Sequence, residues 1–343
     1  MPDHRTPGRL GRVVVPALAA ALLTSCAAGG DAGDVARVEL AVTSDASGAA
    51  VEDAPRGAGV DGAAGAAALG VDATDDAAPA GAAEPSAARL LATSTPATAA
   101  DLGHVHDLAI DEADGRVYAG THHGLFVLLD GAAYAVGEDR QDVMALTAAG
   151  PGTFLISGHP GPDEPGNANL GVLASTDGGL SWTELALGGQ VDFHSLTATG
   201  EHVYGFDATT GTVLRSDDGG ASWSGGAVLG LRDLDADPTA DGRLVATTDA
   251  GLVVSDDGGA TFGPHDHQPP EPLLLVDHAG AALVGLGLDG TVWSLQDGTW
   301  HVAGSPGGAP EAFMALDEET LLAAVDAVVL RSRDSGQTWD AIS

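Results

Sequence analysis

Between residues 101 and 343 one pattern of apolar and polar positions recurs. A leading run is followed by a second rich in small and apolar residues. A third run ends on a Ser-x-Asp turn, and an aromatic residue opens a fourth. The leading runs are His106–Ile110, Met144–Ala148, His194–Ala198, Arg232–Ala236, Leu273–Asp277 and Met314–Glu318; Arg116–Thr121 and Phe154–Ser157 exemplify the second. Short runs bounded by Gly, Asp and Ser read as β-strands. Leading runs about 35–50 residues apart have the spacing of four-stranded sheets repeated around an axis. The expected fold is all-β, a β-propeller of six four-stranded blades; the alternative is a seventh blade drawn from residues near 88–100.

The turn follows Ser-x-Asp-x-Gly-x-[Ser/Thr]-aromatic at Ser175–Trp182, Ser216–Trp223, Ser255–Phe262 and Ser332–Trp339, the last with Ser335-Gly336 for Gly-Gly. Degenerate copies stand at Asp130-Gly131 with Tyr134 and at Asp297-Gly298 with Trp300. In such a turn the carboxylate accepts backbone hydrogen bonds, Gly supplies positive φ and the aromatic packs between sheets. Asp177, Asp218, Asp257 and Asp334 are therefore read as structural.

The first hundred residues obey other rules. Arg5, Arg9 and Arg12 precede an apolar stretch from Val13 to Leu23, too short to span a bilayer and of the right length for a signal sequence. It runs into Leu23-Thr24-Ser25-Cys26, which resembles the bacterial lipobox and marks Cys26 for acylation. Residues 1–25 are read as a lipoprotein signal peptide. Residues 26–100 are read as the lipidated cysteine followed by a disordered acidic tether. From Ala27 to Ala100, 37 of 74 residues are Ala or Gly and none is aromatic, too little apolar area to offset ordering entropy. Two or more acyl chains make a stable membrane anchor. The expected location is the extracytoplasmic face of the cell membrane, with the propeller over 101–343.

Cys26 is the only cysteine, so no disulfide contributes to stability. Formal net charge is −36, and residues 101–343 carry seven arginines against 37 carboxylates. That field repels nucleic acid and anionic headgroups and favours cations or neutral partners. A monomer is expected.

In four-stranded blades the Ser-x-Asp turns share a face with the first-to-second turns. The starts of the inner strands and the second-to-third turns occupy the other face. Aligned by register, His106, Met144, His194, Arg232, Leu273 and Met314 form one level of that second face, with His104, Asp142, Asp192 and Glu271 two positions earlier. The second-to-third turns add His122, His123, His159, Asp207, Asp249, Asp289 and Asp326, and the Ser157–Gly171 turn is long enough to act as a flap. Imidazole with carboxylate suits a divalent ion such as Zn²⁺. The metal candidates are His104, His106, His159 and His194; the rival reading is solvated loop residues satisfied by neighbouring carboxylates.

Over residues 101–343 the chain resembles the sialidase-like or glycosylhydrolase-like lipoproteins of the Asp-box (bacterial neuraminidase repeat) propeller superfamily. The resemblance rests on His104–Ala109, Thr121–Phe126, Arg140-Gln141-Asp142, Ser157–Pro160 and Asp192–Leu196. It implies a glycosidase label, but fold does not supply function. Sialidases clamp their substrate with three arginines, and here only Arg140 and Arg232 can approach the site. The preferred reading is a non-catalytic module that binds a ligand, a metal or a protein partner. The alternative is a hydrolase of a neutral or cationic envelope glycan, with Asp142, Asp192, Asp207, Glu271 and Glu311 as candidate catalytic carboxylates.

Overall fold

The structure, a computed structural model, describes residues 90, 92–162 and 166–343. The signal peptide, Cys26 and most of the expected tether lie outside the described residues, as do residues 163–165 of the expected flap.

Six antiparallel sheets stand in a ring, each inner strand beside the next and the sixth beside the first. The inner strands are Val105–Ile110, Asp142–Gly150, Phe193–Thr199, Asp233–Ala236, Leu273–Ala279 and Pro310–Ala315, heading blades 1 to 6. The sixth begins four residues before its expected start at Met314. The described residues between 90 and 100 build no seventh blade. Thr95–Ala97 instead pairs with Ala132–Ala135 as a fifth strand on the outer edge of blade 1. Leu90 is wholly buried between blades 1 and 2, so folded structure begins inside the stretch assigned to the tether.

The hydrophobic core is six separate seams, one between each pair of adjacent blades. Tyr118 and Val127 of blade 1 meet Phe154 and Ile156 of blade 2, and the pattern repeats around the ring to Leu322 and Val329 of blade 6 against Leu108 and Phe126 of blade 1. The second strands read as runs of small and apolar residues because both of their faces lie in seams. The turn aromatics Trp182, Trp223, Phe262 and Trp339 each pack into the seam with the preceding blade.

All four Ser-x-Asp turns share one hydrogen-bond set. In the second, Ser216 Oγ accepts from the Gly220 N–H (2.9 Å) and donates to Asp218 Oδ1 (2.8 Å), while Asp218 accepts from the Ser222 N–H (2.7 Å) and hydroxyl (2.6 Å). The residue after each Asp donates its N–H to a first-to-second turn of the same blade: Gly178 to Gly152, Gly219 to Glu201, Gly258 to Gly242, Ser335 to Glu319. These bonds put the turns on the face away from the inner-strand starts, as expected.

Every inner strand is also an edge strand facing the axis, so its outward N–H groups need acceptors. In blades 2, 5 and 6 carboxylates of the preceding blade supply them. Asp107 accepts from the Leu146 N–H (2.9 Å), Asp233 from Val276 (2.8 Å), Asp235 from His278 (3.0 Å) and Asp277 from Ala315 (2.7 Å). These aspartates line an axial cavity of about 580 Å³. All four are partly buried. Burial, reinforced by their like charges, pushes Asp107 up to about 8 and Asp233 to about 6, and raises Asp277 well above the ordinary range.

Candidate functional site

Five of the six inner strands begin with a register irregularity that leaves one residue unpaired between two paired ones. The unpaired residues are His106, Met144, His194, Leu274 and Glu311. A bulge re-aims its extra side chain, here toward the mouth opposite the Ser-x-Asp turns. Blades 5 and 6 therefore present Leu274 and Glu311 at this level, not Leu273 and Met314 as the alignment expected. In blade 2 the bulge depends on Gly158, at φ 147°: a Cβ there would strike the Asp142 carbonyl.

Around this mouth the imidazoles and carboxylates form a continuous chain across blades 1 to 3. His106 Nε2 lies 3.0 Å from His122 Nδ1, and Asp142 Oδ1 lies 2.8 Å from His122 Nδ1 and 3.4 Å from His106 Nε2. The other carboxylate oxygen, Oδ2, is 3.6 Å from His159 Nδ1. The opposite nitrogen of that ring is 3.3 Å from Asp192 Oδ1, and Asp192 Oδ2 is 3.2 Å from His194 Nε2.

The electrostatics keep this chain polarised. Burial lowers His106, which favours the neutral, coordinating imidazole. Burial pushes the Asp142 carboxyl up, but hydrogen bonds with His106 and His122 outweigh it and hold the group down at about 2. Asp192 is lowered likewise: burial opposes, and His194 and His159 prevail. His104 differs. Its Nδ1 faces Glu311 Oε1 at 3.4 Å and that contact raises its pKa, although its ring stands 4.8 Å from His106 and 5.8 Å from His122.

Of the expected metal residues, the structure brings His106, His159 and His194 into the chain and turns His104 onto Glu311. His122, named only as a turn residue, completes the tightest group, and its signal was its place in a second-to-third turn beside His123. Among the candidate catalytic carboxylates, Asp142 and Asp192 lie in the chain. Asp207 is buried and spent on a turn, accepting from the Asp192 and Thr209 N–H groups and the Thr210 hydroxyl. Glu271 is exposed ahead of its inner strand. Arg232 pairs with Asp249, and Arg140 donates to the Gly137 and Asp139 carbonyls. The axial cavity is not this site; its lining includes Asp111 and Glu112, at the end where the first-to-second turns lie.

Three donor atoms deserve a geometric test against a metal. Edges of 2.8, 3.0 and 3.4 Å between His122 Nδ1, Asp142 Oδ1 and His106 Nε2 define a circle of radius about 1.8 Å. A point roughly 2.1 Å from all three, the bond length of Zn²⁺ to nitrogen or oxygen, therefore exists just above their plane. The trio is compact enough to hold one ion.

The fold is that of known β-propellers. A GH74 enzyme of Niastella koreensis superposes with a TM-score of 0.53 at 17% identity over 73% of this chain and 46% of that one. The chain thus spans about half the length of that enzyme. A structure of a nidogen/laminin complex gives a TM-score of 0.53 at 12% identity, over 66% of this chain and 92% of that one. YCF48 bound to D1 peptide gives 0.48 at 17% identity, over 72% and 83% of the two chains. No protein-family model and no curated sequence matches the chain. At these identities the likeness establishes the propeller and nothing finer.

Proposed function

We propose that this chain is a lipid-anchored, extracytoplasmic Asp-box propeller that binds a divalent metal on its histidine face and catalyses no glycan hydrolysis. The observation that carries the reading is the His106–His122–Asp142 triangle. Two imidazoles and one carboxylate from two blades already stand at the mutual distances of ligands around one ion. Two imidazoles select Zn²⁺, Cu²⁺ or Ni²⁺ over Mg²⁺ and Ca²⁺, which prefer oxygen.

The carboxylates argue against hydrolysis. A glycosidase needs one carboxyl that keeps its proton near neutral pH. Asp142, Asp192 and Glu311 at this mouth are all lowered. The carboxyls that burial pushes up, Asp107 to about 8 and Asp277 well above the ordinary range, lie along the axis on backbone N–H groups and not at this mouth. The anchor and its location rest on the lipobox at Leu23–Cys26 and on the signal-like residues before it.

The test is Zn²⁺ titration of the metal-stripped chain carrying Cys26→Ser, which removes the one thiol. His106→Ala and His122→Ala should each abolish the tightest binding event. Affinity unchanged by both substitutions overturns the proposal. Acylation is tested separately, by loss of radiolabelled palmitate on Cys26→Ser in the producing cell; label retained by that variant overturns the anchor.

A further inference from the structure

We infer that the face opposite the histidine mouth carries an anion site, in which Arg331 and Arg333 of blade 6 together hold a phosphomonoester group. The inference stands independently of the metal-binding reading. Of the seven arginines over residues 101–343, Arg116, Arg215, Arg232 and Arg243 pair with aspartates and Arg140 donates to carbonyls. Arg331 and Arg333 make no hydrogen bond or ion pair with any described residue, and the Arg331 Nε–H is buried without an acceptor. A buried charged donor left unpaired costs stability that a bound anion restores.

Blade 3 shows what this position otherwise holds. Arg215 stands directly before its turn serine, as Arg331 does, and the two face Tyr204 and Leu322 at matching places on their second strands. Between the turn Ser and Asp, blade 3 has Asp217 and blade 6 has Arg333. Arg215 Nε donates to Asp217 Oδ1 at 2.6 Å, and that bond raises its pKa. In blade 6 the sign is inverted: a second cation stands where the carboxylate was, and burial with the Arg333 charge lowers Arg331. Nearby acids do not compensate. Asp334 is spent on the Ser332 and Thr338 hydroxyls and the Thr338 N–H, and Asp340, opposite Arg331 in the ladder, forms no ion pair with it.

Space differs in the same sense. A Cβ at Gly258, in the turn of blade 4, would strike the Arg215 guanidinium. At the counterpart Gly131, in the degenerate turn of blade 1, it would meet nothing within 4 Å. Two guanidinium forks match the oxygens and double charge of a phosphate, whereas a carboxylate occupies one fork and leaves the other cation unpaired. The pair is thus a local exception in a chain of formal net charge −36.

The experiment is calorimetric titration of inorganic phosphate into the metal-stripped Cys26→Ser chain, with acetate as the singly charged control. It is run at about 0.15 M salt, where charges beyond roughly 8 Å are screened. The parent should take one equivalent of phosphate and bind acetate about tenfold more weakly or worse. Arg331→Gln and Arg333→Asp should each weaken phosphate about tenfold or more. Arg333→Asp recreates the pairing of blade 3, so its urea midpoint should equal or exceed that of the parent. Co-sedimentation with vesicles of phosphatidic acid in phosphatidylcholine separates the sources. Retention lost on Arg333→Asp assigns the site to a membrane phosphate; retention absent or indifferent to that substitution, with free phosphate still bound by the parent, assigns it to a soluble ester. No saturable phosphate binding, binding indifferent to both substitutions, or acetate bound as tightly as phosphate overturns the inference.

Discussion

Asp142 Oδ1 lies 2.8 Å from His122 Nδ1, across the seam between the first two blades. The pair joins a bulged inner strand to a turn of the neighbouring sheet, so the site exists only once the first two blades are packed together.

Its pH behaviour follows. Metal uptake requires neutral imidazoles and an ionised carboxylate. Asp142, held at about 2, is ionised at any working pH, and burial keeps His106 below the usual imidazole range. Zn²⁺ affinity should be level near neutrality and fall in acid by up to about tenfold per pH unit for each imidazole that gains a proton. Competition titrations with a chromogenic chelator between pH 5 and 8 measure this, and affinity that rises on acidification would contradict it.

The axial aspartates impose the opposite pH dependence on folding. Asp233 titrates at about 6 when folded and near 4 when unfolded, so the folded chain holds its proton longer. That preference is complete below about pH 4 and is lost as pH rises to about 6, at most roughly 3 kcal/mol. Asp107, at about 8, extends the loss toward neutral pH. Asp233→Asn keeps an oxygen for the Val276 N–H and removes the titration. Urea midpoints of parent and variant should therefore diverge between pH 4 and 6, with the parent the one that falls relative to the variant. Parallel curves would refute the assignment.

Glu311 fastens the last blade to the first, accepting from the Val105 N–H at 3.0 Å and the Ala327 N–H at 3.2 Å. Glu311→Ala strands a wholly buried N–H and should cost about 1–3 kcal/mol, with Glu311→Gln recovering part. Both variants should lower the His104 pKa, because the Glu311 carboxylate is what raises it. Histidine titration by NMR and denaturant midpoints read the two effects. A His104 pKa unmoved by Glu311→Gln would break the link.

In the turns, Ser216 Oγ accepts the buried Gly220 N–H. Ser216→Ala should cost about 1–3 kcal/mol, seen as a lower urea midpoint by Trp fluorescence. An unchanged midpoint would mean that water replaces the hydroxyl.

Much of this was legible in the sequence. The Ser-x-Asp turns marked the third-to-fourth connections, their aromatics marked the seams, and the opposite face followed from counting strands. A bulge, however, inserts a residue that no alternation pattern reveals, which is why Leu273 and Met314 stood in for Leu274 and Glu311. His122 escaped the metal set because it lies in a turn whose direction strand register does not set, and one of its partners, Asp142, belongs to another blade. The axial ladder left a trace in Asp233-Leu234-Asp235 and Asp277, carboxylates inside inner strands, which reads equally as a solvated face. Thr95–Ala97 escaped because a short edge strand without aromatics resembles a linker.

The bulges separate what the molecule is from what it does. Seams and turns carry the architecture, while His106, Met144, His194, Leu274 and Glu311 stand outside the strand pairing at the rim of one mouth. Glu311 is tied to the closure of the ring through the Val105 and Ala327 N–H groups, but exchanging His106, Met144, His194 or Leu274 leaves the ladders intact, so a lineage on this scaffold is free to trade one ligand preference for another at little risk to its fold.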